Sequence, residues 1–552
     1  MKKLNKIKLI LPLAALSLSV LSCNDYLDIN ESPNAGHIEN VTPAQVLPGA
    51  LNELYRTQGS QVTGPTSMMT FGNVMMNSWA TNVHNFGGVY GAEYTLSGVN
   101  NTFYTGIWDR IYLYTANFKL IEDYNNADHS QDNYVAIAKI MKAFYLQYIV
   151  DLYGDAPYKE AFLRSANTTP KYDDDKEIYK ALIGELETAN AIIDAENPNA
   201  IAASTDPIFK GAMASWRAFS NTVKLRMLLR MSNVTGDMAT YRDQKLATLS
   251  GETFINQEVL INPGYSSANN DRMNPFVSSY RATATGSSTQ IFQRTTASEH
   301  IANCLNGNLM GGTETYYTKF NGITDPRRFR LFSSVTYQGV AQVKGIRQGA
   351  NSGDPGAPTD NKTLSALGTG NFAGSTAVAT VAELVAAGNT RGGVIMSLAE
   401  SKFLQSEAAL RYPSLFSGGD TNFQQAIVAS GIWLGVPASG SLTPTQVMQA
   451  YVTSVSTRPG LGWTGSNTQK LEAIMTQKWL ALTNVNPAEM YIEYNRTGFP
   501  VTPLATTSTR PNRPYRLFYP VSEYTANSAN VPNVTADQMF TKNATTPFWN
   551  QN

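Results

Sequence analysis

Glu400 and Glu407 lie seven residues apart in LAESKFLQSEAAL (398–410), a carboxylate pair that could be considered for acid–base work. On a helix that spacing puts both on one face, flanking Phe403, with their backbones about 10.5 Å apart. Glycoside hydrolysis needs two carboxyl groups on opposite sides of a sugar ring. Two on one rod serve better as bridges to neighbouring helices, so an ion-pair role is the first expectation and a secreted glycan-degrading enzyme the alternative. The four histidines, His37, His84, His129 and His300, share no metal-ligand spacing, and HExxH, CxxC, P-loop and GxSxG patterns are missing. Cys304 has no nucleophile context and reads as a small buried hydrophobe. Asp173-Asp174-Asp175 reads as a helix start rather than a metal site. No catalytic residue, no metal and no cofactor is expected.

One stretch has the composition of a binding surface. Residues 71–97, FGNVMMNSWATNVHNFGGVYGAEYTLS, interleave Trp79, Phe86, Tyr90 and Tyr94 with Asn77, Asn82, His84 and Asn85. Flat rings bind the apolar faces of sugars or peptide side chains, while Asn and His bond hydroxyls or amides. Gly87-Gly88 lets the backbone turn tightly and present the rings. Trp79, Asn82, His84, Asn85, Phe86 and Tyr90 are therefore the candidate ligand residues. Phe86 and Tyr90 are expected to be exposed; Met75, Met76 and Trp79 fit a helix core equally well.

The elements that must position these residues are mostly helices. Thr42-Pro43-Ala44-Gln45, Thr443-Pro444-Thr445-Gln446 and Asn486-Pro487-Ala488-Glu489 each offer an N-cap, a proline at the first helical position and Gln or Glu at the third. Asp174 opens a further capping box, and Asp206-Pro207 reads as another start. Apolar stripes follow at Tyr104, Trp108, Ile111, Phe118 and Ile121, and at Tyr134, Ile137, Met141, Phe144, Tyr148 and Leu152. Further helices are expected within 394–411, 421–434, 444–455 and 467–483. Consecutive pairs of long helices predict a mainly α, tetratricopeptide-like scaffold. Residues 236–300 and 335–390, rich in Gly, Ser, Thr and Asn, predict long irregular loops with a few short strands. The expected organisation is a signal peptide over 1–22 and one domain over 23–552, helical over about 40–235, loop-rich over 236–390 and helical again over 391–552.

The N-terminus addresses location. Lys2, Lys3, Lys6 and Lys8 precede an apolar run, Leu9–Ser22, too short to span a membrane but suited to a secretory signal. Val20-Leu21-Ser22-Cys23 fits a bacterial lipobox, in which Cys23 is acylated and becomes the first mature residue; two or more acyl chains make a stable anchor. The whole chain carries 42 basic and 42 acidic residues. Removal of 1–22 leaves 38 against 42, and this mild negative balance argues against a nucleic-acid partner.

Several stretches together resemble the SusD/RagB family of surface lipoproteins from Bacteroidetes-type bacteria. They are the lipobox followed by NDYLD, YVAIAKIMKAFYLQYIVDLYGDAPYKEA (134–161) and DPIFKGAMASWRAFSNTVKLRMLLRMSN (206–233). At the C-terminus LAESKFLQSEAAL, QKWLALTNVNPAEMYIEYNRTGFP (477–500) and RPYRLFYPVSEYTANSANV (513–531) are similar to the family as well. The resemblance implies a tetratricopeptide-based α fold with an irregular ligand-facing half. It implies a non-catalytic protein on the outer membrane, tethered by its N-terminal lipid and facing the cell exterior. There such a protein captures an oligosaccharide or oligopeptide and, as a hinged lid, delivers it to a SusC-like TonB-dependent transporter barrel. No ligand residue carries over from the family.

Overall fold

In a computed structural model, residues 41–61, 67–82, 89–354 and 363–551 are described. Cys23, the segment 1–22, His84, Asn85 and Phe86 lie outside them. The longer helices are α1 (Pro43–Gly59), α2 (Met68–Met75), α3 (Thr105–Glu122), α4 (Asp132–Tyr153), α5 (Asp175–Asp194), α6 (Met213–Arg230), α7 (Asp237–Ala247), α8 (Val381–Arg391), α9 (Leu398–Arg411), α10 (Gly419–Leu434), α11 (Pro444–Val455), α12 (Asn467–Leu482) and α13 (Pro487–Thr497). Among the described residues six three- or four-residue strands form three antiparallel ribbons: β1 (Trp79–Thr81) with β3 (Thr295–Ala297), β2 (Val259–Ile261) with β6 (Gly393–Met396), and β4 (Val335–Tyr337) with β5 (Val340–Gln342). This is the mainly α architecture expected.

The caps explain where the helices begin. At α11 the Thr443 hydroxyl accepts from the Gln446 amide at 3.3 Å and the Gln446 side chain accepts from the Thr443 amide at 2.9 Å, which satisfies two orphan donors reciprocally. Asp174 caps α5 through the amides of Lys176 and Glu177, but the expected capping box does not close, because the Glu177 carboxylate pairs with Lys180 at 2.7 Å. Neighbouring helices then stack in sequence order, α3 on α4, α4 on α5 and α5 on α6, and again α9 on α10 and α10 on α11. The two stacks meet where α6 packs on α9 and α2 on α13. Gly72 in α2 makes the second junction possible, because a Cβ there would stand 2.1 Å from the Pro487 carbonyl carbon. One contiguous apolar core runs from Leu47 to Trp549.

Three further local expectations fail, each for a stated reason. Asn486 makes no side-chain cap; its amide donates to the Tyr148 hydroxyl at 3.0 Å and to Glu400 at 3.3 Å, and Glu489 pairs with Arg230 rather than closing a capping box. Asp206 does not open a helix at Pro207. Its carboxylate instead accepts from the amides of Ile208, Phe209 and Gly211 and from the Trp216 indole at 2.8–3.1 Å, and α6 starts only at Met213. Residues 393–396 are strand β6 rather than the first turn of a helix, since the GVIM run pairs with Val259–Ile261.

Candidate functional site

β1 and the turn after it carry the aromatic stretch. Trp79 is fully buried: its indole N–H donates to Asn484 Oδ1 at 2.7 Å and its ring lies 5.5 Å from that of Tyr280. Tyr90 is also buried, so the expected exposure of its ring is not met. β1 pairs with β3, which brings the Tyr90 hydroxyl to Thr295 Oγ1 at 3.0 Å and sets the ring edge-on to Tyr94. Burial pushes the Tyr90 phenol up to about 12, so it stays a neutral hydrogen-bonding group. The Tyr94 hydroxyl accepts from the Thr81 amide at 2.9 Å. Trp79 and Tyr90 thus hold the β1–β3 ribbon from beneath.

Asn82, at the end of that ribbon, is different. Its amide N–H donates to the Arg294 carbonyl at 2.8 Å. Its side-chain oxygen is buried and, among the described residues, has no hydrogen-bond partner; the same holds for Nε of Arg294. An unused acceptor and an unused charged donor therefore stand on adjacent residues of the same junction, where each would recover about 1–3 kcal/mol by finding a partner. The short helix Gln290–Arg294 supplies the neighbouring surface, with Thr289 capping it through the Phe292 amide at 3.2 Å. Phe292 is half-buried beneath the Arg281 guanidinium, 4.3 Å from its ring centre. Sequence reading missed Arg281, Phe292 and Arg294. The available signal was TQIFQRTT in the loop-rich middle, where a ring stands two residues from an arginine.

Glu400 and Glu407 are wholly buried and belong to an ionic cluster between α4, α6, α9, α12 and α13. Glu400 accepts from Arg226 Nη1 at 3.2 Å, and the Arg226 guanidinium lies 4.5 Å over Phe144. Glu407 takes both Arg496 terminal nitrogens at 2.7 and 2.8 Å and Arg411 Nε at 2.6 Å. Arg230 reaches Asp151, Glu489 and Glu493 at 3.2, 2.6 and 2.5 Å. Burial raises the Glu400 carboxyl; at Glu407 burial acts the same way but Arg496 and Arg411 outweigh it and hold that carboxyl below its usual range. Neither side chain touches solvent, so this pair has no route to a substrate.

His300 and Cys304 make an inert internal pair. The Cys304 thiol is buried, 4.0 Å from His300 Nε2, and burial pushes it up, away from thiolate character. Burial, with Arg513 and Lys319 nearby, takes His300 down to about 3. Among the described residues no group of three His, Cys, Asp or Glu side chains is placed to hold a metal ion, and no helix is long and apolar enough to cross a membrane.

A SusD-like family model, described as starch-binding and associating with the outer membrane, matches residues 35–520. Among solved structures, a chitin-binding SusD homolog from Flavobacterium johnsoniae is 20% identical over 88% of this chain and 94% of its own, with a TM-score of 0.61. A chitin-binding protein is 21% identical over 93% and 100%, with a TM-score of 0.68. A SusD homolog from Bacteroides thetaiotaomicron is 18% identical over 93% and 100%, with a TM-score of 0.65. Identities this low establish the shared fold. No curated protein matches. The family model covers most of the sequence, and the chain belongs to the SusD-like family.

Proposed function

We propose that this chain is a non-catalytic surface lipoprotein that captures an oligomeric glycan and delivers it, as a hinged lid, to a SusC-like TonB-dependent transporter in the outer membrane. Cys23 is the lipid anchor in this reading. The observation that carries it is the family match over residues 35–520; the two chitin-binding proteins of the same fold favour a glycan over an oligopeptide. Asn82 Oδ1 and Arg294 Nε, which make no hydrogen bond among the described residues, would serve a ligand hydroxyl or acetamido group once the residues that bury them move aside. Trp79 and Tyr90 support that face from below, and His84, Asn85 and Phe86, which lie between Asn82 and Tyr90 in sequence, belong to the same proposal. Lid motion would be a two-state equilibrium biased by ligand contacts.

Purification from detergent-solubilised membranes should recover a large β-barrel with this chain; repeated recovery without a barrel overturns the transport reading. Calorimetry against chitin, starch-type and oligopeptide hexamers should give heat with a glycan. Sustained turnover of that glycan would overturn the non-catalytic reading. Replacement of Cys23 by Ala should release the protein from membranes into the soluble fraction.

A further inference from the structure

A large groove lies on the helical side of the molecule, where α8, α9, α10 and α11 converge. Its volume is about 1330 Å³, above the roughly 300–1,000 Å³ of a drug-sized pocket, so it suits an oligomer better than a single small ring. It shares no residue with the Asn82–Arg294 face. One stripe of α10 runs its length: Gln424, Gln425, Val428, Ile432 and Trp433 follow helical spacing, and with Thr421 at the start the stripe extends about 18 Å. Val452 and Gln449 of α11 stand opposite.

The aromatic end is rigid. Trp433 is half-buried, and the Arg391 guanidinium covers one face of its ring at 3.3 Å from the centre. Arg391 is itself fastened by the carbonyls of Gly370 at 2.8 Å, Asn371 at 3.4 Å and Trp433. A ring fixed in this way loses little entropy when a ligand stacks on it. Beside it Ile432 leaves 44% of its surface exposed and continues the apolar face that Val428 and Val452 also line.

The charges present are mostly spent within the protein. Glu258 Oε2 accepts from the Leu398 amide at 2.8 Å, and burial raises its carboxyl to about 7. Arg391 serves the carbonyls just named, which leaves Lys402 as the cation facing the groove, 3.4 Å from Asn422 Oδ1. The wall is mainly apolar surface, from Leu398, Val428, Ile432, Trp433 and Val452, interspersed with neutral amides and hydroxyls. A polyanion would need more unspent cations, and an amphipathic helix would need a continuous apolar stripe rather than one that begins with Thr421, Gln424 and Gln425. A neutral, hydroxyl-rich chain with flat apolar faces meets both conditions.

We infer that this groove is a second carbohydrate-binding site, in which an extended neutral glycan lies along α10, with one sugar ring against Trp433 and Ile432 and hydroxyls on Gln424, Gln425 and Gln449. The inference rests on the glycan reading above. It assigns a separate place and a separate set of residues, by which one chain could hold two points of a long polymer and gain avidity without new contacts at either.

The test is titration calorimetry of the full chain with chitin and starch-type hexasaccharides. Wild type should bind two molecules of one of them. Ile432→Ala combined with Gln425→Ala should weaken one of the two sites at least tenfold. Gln424→Trp, which fills the groove and leaves the Trp433–Arg391 stack alone, should do the same, and Asn82→Ala should spare that site. A single site unaffected by either groove variant overturns the inference, as does the absence of heat with both hexasaccharides. Copurification of the barrel decides the transport reading independently of all these outcomes.

Discussion

The ionic cluster between α6, α9 and α13 and the surface around Asn82 treat polar atoms in opposite ways. In the cluster every charge faces an opposite one; even Lys478, whose ammonium group makes no hydrogen bond, stands 3.6 Å from both Glu489 and Glu493. At the surface junction, Asn82 Oδ1 and Arg294 Nε are buried with nothing to bond among the described residues. Desolvating a charge costs several kcal/mol unless it is paired, so a buried network of paired charges makes one arrangement of helices far better than its neighbours, even where Lys478 Nζ and Glu489 Oε2 make no hydrogen bond. An unsatisfied pair at an edge costs stability and keeps binding capacity. The difference separates what holds the helices together from the junction proposed above for ligand contact.

Breaking the cluster should have the largest effect. Arg230→Met leaves Asp151, Glu489 and Glu493 with one cation fewer in a dry interior. A loss of about 3–5 kcal/mol is expected in urea unfolding. A change below about 1 kcal/mol would show that water enters the cluster and that the pairing does not set the helix arrangement.

Glu258 sharpens the comparison, because it is a carboxylate that burial disfavours without a full ion pair. Its folded pKa of about 7 lies above the unfolded value near 4.3, so the folded state binds the extra proton between those limits. Stability therefore falls as pH rises from about 4.3 to 7, and the penalty is complete above about 7. Glu258→Gln should stabilise the protein by up to about 3 kcal/mol at pH 8, with the gain fading towards pH 4.5. Thermal melts of both forms across that range check the sign; a gain that grows towards low pH would contradict it.

Trp79→Phe tests whether the aromatic stretch is support or contact. The substitution removes the donor to Asn484 Oδ1 inside the core, at a cost of about 1–3 kcal/mol. Glycan affinity should change by less than about twofold. A large loss of affinity with unchanged stability would return the indole to the ligand surface.

The sequence was most informative where one physical rule acts locally. The capping box at Thr443, the side-chain cap at Asp174 and the stripes on α3 and α4 mark helices because the cap atoms and the apolar face lie within a few turns of one another. Cys304 was legible as a buried thiol for the same reason. Glu400 and Glu407 were legible as one face of one helix, but their partners Arg226 and Arg496 lie 174 and 89 residues away, and only packing brings them together. The aromatic stretch misleads in the same manner. Nothing local says that β1 will pair with residues 295–297 and turn Tyr90 inward. Arg294 was invisible because its meaning comes from Asn82, more than two hundred positions earlier.

Asn82 gives the smallest effect on stability and the sharpest on function. Its side chain is buried yet its oxygen bonds nothing, so Asn82→Ala removes an unsatisfied acceptor rather than a working bond. Unfolding free energy should move by less than about 1 kcal/mol and in either direction. If the oxygen accepts from a sugar hydroxyl or acetamido group, glycan affinity should fall about tenfold, which corresponds to about 1.4 kcal/mol for one hydrogen bond at a desolvated site. Arg294→Lys should fall in parallel, because an ammonium group cannot keep the Nε donor in place. Unchanged affinity in both variants would place the ligand away from this junction and favour the groove along α10 instead.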